Sequence, residues 1–162
     1  MKNHEQESNP NSLHTKMYKK LAFMMAASFL AMYILMYAMV DSFSNVIPNT
    51  NQFYMAGLMT MPMLLLELII MKEMYKNRKL NILLFVSGFV GIILFFLCIQ
   101  NQFAIKDKQF LKSMIPHHAA AVLMVEKTNI TDPEIKELAR NIITSQQKEI
   151  EQMKSKLKEL EK

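Results

Sequence analysis

The chain has 162 residues, a formal net charge of +5 and 51% hydrophobic residues, yet a mean hydropathy of only +0.09. The apolar residues must therefore be concentrated in segments, which excludes an evenly patterned soluble globule. A single cysteine, Cys98, excludes a disulfide scaffold, and three glycines speak against a Gly-rich phosphate loop or an all-β fold.

Residues 1–20 are polar and basic, and are expected to be a disordered cytoplasmic segment in which His4 and His14 are solvated bystanders. Leu21 to Val40 is a run of 20 residues without a charge. At about 1.5 Å per residue, a helix of that length crosses the roughly 30 Å hydrocarbon core of a bilayer. The run is too long for the apolar region of a signal peptide, and no small-residue cleavage site follows it. Phe53 to Met71 is broken only by Glu67, and Leu80 to Ile99 is a further uncharged run of 20. The sequence thus predicts a three-helix transmembrane domain over 21–99, with spans at 21–40, 53–71 and 80–99.

Orientation follows from the basic residues in the short flanks. The N-terminal flank carries Lys2, Lys16, Lys19 and Lys20, the 41–52 loop carries none, and the 72–79 loop carries Lys72, Lys76, Arg78 and Lys79. The expected protein is a multi-pass cell-membrane protein with its N-terminus in the cytoplasm and residues 100–162 outside. No basic stripe with interleaved aromatics is present, so nucleic acid is not an expected partner.

Within the spans, Met32, Met36 and Met39 share one face of the first helix, and Met55, Met59 and Met63 share one face of the second. They fit either a soft-metal relay or apolar filling by a flexible side chain, and the sequence favours filling. Glu67, a carboxylate inside a span, fits a proton or cation site and equally a protonated group paired with another helix. Cys98 reads as a small apolar residue.

Residues 100–162 read as two helices. Phe110, Met114, His117, Ala121 and Met124 step by four and three, forming one seam. Thr131, Asp132, Pro133 and Glu134 form a capping box, with Ile130 and Ile135 as its hydrophobic staple, that opens the second helix. The second seam runs through Leu138 or Ala139, Ile142, Gln146, Ile150, Met153, Leu157 and Leu160. The connection is short, so the helices are expected to be antiparallel. Such a hairpin buries too little to stand alone. It needs its own membrane helices or a second copy, and a homodimer closing a four-helix bundle is expected. Pro116 either kinks the first helix or starts a new one.

Aligned about the short loop, His117 is expected opposite Ile142, Met114 opposite Gln146, Phe110 opposite Glu149 and Asp107 near Met153. Imidazole and thioether together suit copper, and thioether favours Cu(I). Glu149 and Gln146 fit as groups that hold the imidazoles. Two adjacent histidines cannot both face one seam, and an interface histidine is ordinarily just hydrogen-bonded. The Glu-x-x-His pairs of di-iron bundles are absent, as are a nucleophile–base pairing and a Gly-rich loop, so no enzyme is expected.

Asp107-x-x-Phe110-x-x-x-Met114-Ile115-Pro116-His117-His118-x-x-Ala121-x-x-Met124, followed by Leu138-Ala139-x-x-Ile142-x-x-x-Gln146-x-x-Glu149-Ile150-x-x-Met153, resembles domain-of-unknown-function family 305. The resemblance spans about residues 107–157 and implies a ferritin-like bundle. Some members of that family are extracytoplasmic copper-binding proteins tied to copper tolerance, and the three spans resemble those of membrane-anchored members. The family's metal pattern carries over to Met114, His117, His118, Met124 and Met153, and its acidic positions to Asp107 and Glu149. Where many members have a tryptophan, this chain reads Met153-Lys154-Ser155-Lys156-Leu157, a departure expected to alter packing and not ligation. The resemblance implies a membrane-anchored protein that buffers, scavenges or hands on Cu(I) or Cu(II). Its expected partners are the lipid bilayer, a second copy and a copper donor or acceptor protein. The alternative is a helical interaction module without metal.

Overall fold

The computed structural model describes residues 10–162, with side chains from residue 15 onward. His4 and the side chain of His14 lie outside the described residues. All regular structure among the described residues is helical, as expected: α1 (Pro10–Leu35), α2 (Thr50–Ile70), α3 (Arg78–Gln100), α4 (Asp107–Lys127) and α5 (Pro133–Leu160), with 3-10 turns at Met36–Met39 and Phe43–Asn45. Three segments, Thr15–Met39, Thr50–Ile70 and Arg78–Gln100, are long and apolar enough to cross a membrane. The expected disorder through residue 20 does not hold for residues 10–20. They continue α1, because Lys16, Lys19 and Lys20 are good helix formers and interrupt nothing but the hydropathy.

The chain divides into two compact units, one built from the chain up to Met32 with Ala56–Leu97, the other from Tyr33–Met55 with Cys98–Lys162. In the first unit, Leu21, Leu64, Leu68 and Tyr75 form a core, with Met17, Met24, Met25, Met71 and Met74 packed against it. These methionines act as fillers, as an unbranched thioether readily does. Gly57 and Gly88 let helices approach closely: a Cβ would collide with the Phe95 ring at the first and with Leu65 at the second. Glu67 is paired, but not with another helix: it accepts a hydrogen bond of 3.0 Å from the Tyr75 hydroxyl, in the segment that follows its own helix. Burial first, and the Glu67 carboxylate second, push the Tyr75 phenol up to about 12.

In the second unit, α3 stops at a turn in which Gln102 and Ala104 adopt left-handed backbone, with φ of 48° and 57°. This conformation is disfavoured for residues with a Cβ, and here the turn is held by a 2.9 Å hydrogen bond from the Tyr54 hydroxyl to the Phe103 carbonyl. α3 and α4 are therefore separate helices. Pro116 lies inside α4, and its helix continues to Lys127, so the proline does not start a new one. α5 begins at Asp132, whose carboxylate accepts from the backbone N–H groups of Glu134 and Ile135 at 2.9 and 3.0 Å. The cap is thus Asp132 and not Thr131 of the expected capping box. Pro133 at the first helical position fixes the register one residue later.

α4 and α5 pack along each other. Lys112 near the start of α4 pairs with Glu161 at the end of α5 at 3.1 Å, and His118 meets Glu149 further along. Their core holds Ile115, Ala119, Val122, Ile150 and Leu157, with Leu111, Met153, Val40 and Ile47 against it. The α5 seam read from sequence agrees with this core. The α4 seam does not: the buried residues are Ile115, Pro116, His118, Ala119 and Val122, whereas Phe110 and Met124 are half exposed. The expected facing of His117 with Ile142 and of Phe110 with Glu149 fails with it, since His118 is the residue that reaches Glu149. Branched aliphatic residues one position along the helix fill the core instead. The connection between α1 and α2 supplies the cover, through Val40 and Ile47.

Candidate metal centre

α4 presents its two adjacent histidines to different surroundings, because successive helical side chains point about 100° apart. The His118 ring is buried. Its Nδ1 lies 2.9 Å from the Met114 carbonyl oxygen and its Nε2 lies 2.8 Å from a Glu149 carboxylate oxygen. A carbonyl can only accept, so Nδ1 carries a proton. Nε2 is engaged by the carboxylate whichever group holds the second proton. Neither nitrogen has a free lone pair for a metal. Within this arrangement, His118 is a structural histidine and Glu149 is its anchor.

His117 is exposed and meets the His118 ring edge to face with centroids 6.1 Å apart, and among the described residues its ring nitrogens make no hydrogen bond. It opens onto a cavity of about 470 Å³ within the second unit, which Met114 also lines. The same cavity is lined by Met36 and Met39 from the 3-10 turn that ends the first span, and by Met55 from the beginning of α2. One imidazole and four thioethers therefore line the same space, and among the described residues no carboxylate or ammonium does. The 3-10 turn puts Met36 and Met39, three apart, one above the other.

The polar rim is fixed by amide side chains. Asn49 caps α2, its Oδ1 accepting from the Gln52 backbone N–H at 3.0 Å while its Nδ2 donates to the Ile47 carbonyl and to Gln52 Oε1. Asn51 and Gln102 exchange amide hydrogen bonds at 3.0 and 3.3 Å. Gln109 Oε1 accepts from the Thr50 backbone N–H at 3.1 Å, which ties the first turn of α4 to the start of α2. The Tyr37 hydroxyl donates to the Ile47 carbonyl at 2.8 Å and braces the connection from beneath. These bonds hold three separate pieces of chain around one space.

The residues singled out by sequence therefore separate. His117 and Met114 share the cavity, whereas His118 pairs with Glu149, the imidazole buried and the carboxylate half exposed. Met153 packs against the α4–α5 core. Met124 is half exposed, and Asp107 is an exposed acid in the first turn of α4, where a negative charge favours the helix dipole. Among the described residues no three His, Cys, Asp or Glu side chains gather into a metal-holding group. Three of the six span methionines belong to the cavity, while Met32 accepts a weak contact from the Thr60 hydroxyl at 3.7 Å and Met59 is half exposed. The signal for Met36 and Met39 was their shared helical face at the end of a span, but nothing in the sequence linked that face to α4.

Comparison with known proteins gives two matches. The family described as "Domain of unknown function (DUF305)" matches residues 71–159, more than half of the chain. The "Uncharacterized protein L153" of Acanthamoeba polyphaga mimivirus is 38% identical over 144 residues, covering 86% of this chain and 91% of that protein. No solved structure matches.

Proposed function

The chain belongs to the DUF305 family, and from that premise we propose that it is a membrane-anchored copper-binding protein whose site is the methionine-lined cavity beside His117. The observation that carries this reading is the donor set: His117, Met114, Met36, Met39 and Met55 line one space that holds no carboxylate. Thioethers are soft ligands and favour Cu(I), and a neutral imidazole suits either oxidation state. Divalent zinc gains little from thioethers and prefers thiolate, imidazole or carboxylate. His117 supplies a nitrogen lone pair that no neighbour uses, and the methionines supply uncharged sulfur that needs no deprotonation. Such a site buffers, scavenges or hands on copper and performs no chemistry on it.

In this reading Thr15–Met39, Thr50–Ile70 and Arg78–Gln100 cross the bilayer, with the basic N-terminal flank and the 72–79 connection on the cytoplasmic side. The cavity then faces the outside, where a donor or acceptor protein reaches it. The test is a competitive titration of the full chain in detergent with Cu(I), Cu(II) and Zn(II). Cu(I) is expected to bind far more tightly than zinc, and His117→Ala with Met114→Leu should remove most of that binding. Equal zinc and copper affinity, or unchanged Cu(I) affinity in the double variant, would sink the proposal.

A second reading is favoured by one observation. Phe110, Met124, Ile135 and Leu138 are all at least half exposed on α4 and α5. In this reading α4 and α5 associate with those of a second copy, in a four-helix arrangement, with or without metal. Sedimentation of the full chain in detergent distinguishes the two: a metal-independent dimer supports the interaction module, and a monomer that binds Cu(I) supports the copper site alone.

A further inference from the structure

The first unit carries a second cavity, of about 720 Å³, where the first apolar span begins. Its polar lining is Thr15, Tyr18, Lys19, Lys76 and Asn77, and its apolar lining is Ala22 and Leu80. The rim is built and not merely crowded. The Tyr18 hydroxyl donates to Asn81 Oδ1 at 2.6 Å and accepts from the Asn77 backbone N–H at 3.2 Å, which ties α1 to the start of α3. Asn81 in turn donates to the Tyr75 carbonyl at 2.5 Å, and the Tyr18 and Tyr75 rings meet tilted at 47° with centroids 5.3 Å apart. Asn77 Oδ1 accepts from the Leu80 backbone N–H at 3.1 Å, closing the turn into α3.

Charge in this region is mostly positive. Residues 15–22 and 72–81 contain Lys16, Lys19, Lys20, Lys72, Lys76, Arg78 and Lys79 against one carboxylate, Glu73. Among the described residues neither Lys19 nor Lys76 makes an ion pair and no carboxylate lines the cavity. Two lysines without an ion pair, lining one cavity with Ala22 and Leu80 at the start of helices long and apolar enough to cross a membrane, are complementary to a molecule with a phosphate at one end and acyl chain at the other. A free phosphate would make use of the lysines and leave the apolar lining unused.

We propose that this cavity between the start of α1 and the start of α3 binds the headgroup of an anionic phospholipid, with Lys19 and Lys76 on the phosphate and Ala22 and Leu80 under the first acyl carbons. The proposal is independent of the copper reading. The full chain is purified in detergent, supplied with phosphatidylglycerol or phosphatidylcholine, and weighed intact by native mass spectrometry. One phosphatidylglycerol per chain should be retained in preference to phosphatidylcholine. Lys19→Gln with Lys76→Gln should weaken that retention about thirtyfold, each lysine contributing its usual share at a membrane surface. Lys136→Gln with Lys158→Gln, which removes the same charge from α5, should leave retention unchanged, and Lys19→Arg with Lys76→Arg should preserve it. Circular dichroism establishes that each variant is folded. Equal retention of the two lipids, or equal losses in the two glutamine pairs, would overturn the proposal. So would displacement of the lipid by inorganic phosphate, which would mark a site for a soluble anion instead.

Discussion

The two faces of α4 differ by a single step along the helix and have opposite chemistry. One face, with Ile115, His118, Ala119 and Val122, is buried, and its histidine has both nitrogens committed. The other, with Met114 and His117, borders a cavity and keeps its histidine unengaged. A histidine in a core is held by partners because an unsatisfied buried polar group costs free energy. A histidine at a cavity has no such partner and keeps a lone pair available. The same side chain is thus committed or left available according to which neighbour lies within 3 Å, and residue type alone does not separate the two.

Substitutions across α4 and α5 would break or sharpen this contrast. Ile115→Ala, at a fully buried position, should cost about 2–5 kcal/mol of stability, read as a lowered thermal midpoint of the full chain in detergent. His118→Ala should cost about 1–3 kcal/mol, because it strips the partner from Glu149 and the donor from the Met114 carbonyl. Its copper stoichiometry should nevertheless match that of the unmodified chain, and loss of copper without loss of stability would reverse the roles assigned to the two histidines. Asp132→Ala, which removes the cap of α5, should cost about 1 kcal/mol and leave metal binding alone. His117→Ala should change stability by no more than about 0.5 kcal/mol, as expected for an exposed side chain, while weakening Cu(I) binding. A large stability loss in that variant would show that His117 too is a packing residue.

The methionines repeat the contrast between the two units. Met17, Met24, Met25, Met71 and Met74 pack against a core of leucines and a tyrosine. Met36, Met39 and Met55 line an open space with an imidazole. Filling was the reading favoured by composition, and it describes the first group well. The second group differs in having a nitrogen donor for a neighbour, which is a property of the fold and not of the residue.

What the sequence by itself determined was everything that depends on neighbours in the chain. Charge-free runs of about 20 residues marked three helices able to cross a membrane, since span length depends only on rise per residue and bilayer thickness. The α5 seam was legible because that helix has one apolar stripe, and Ala139, Ile150 and Leu157 are indeed the buried residues. The α4 seam was not, because Phe110, Met114 and Met124 and, one step along, Leu111, Ile115 and Val122 are apolar series of the same period. Local pattern cannot choose between two such stripes. The tertiary structure chose: Val40 and Ile47, brought in from the connection between α1 and α2, and Ile150 and Leu157 from α5 closed over the branched aliphatic stripe. That choice turned His118 inward to Glu149 and left His117 facing Met36, Met39 and Met55, a meeting of residues some 60 to 80 positions apart that no periodicity records.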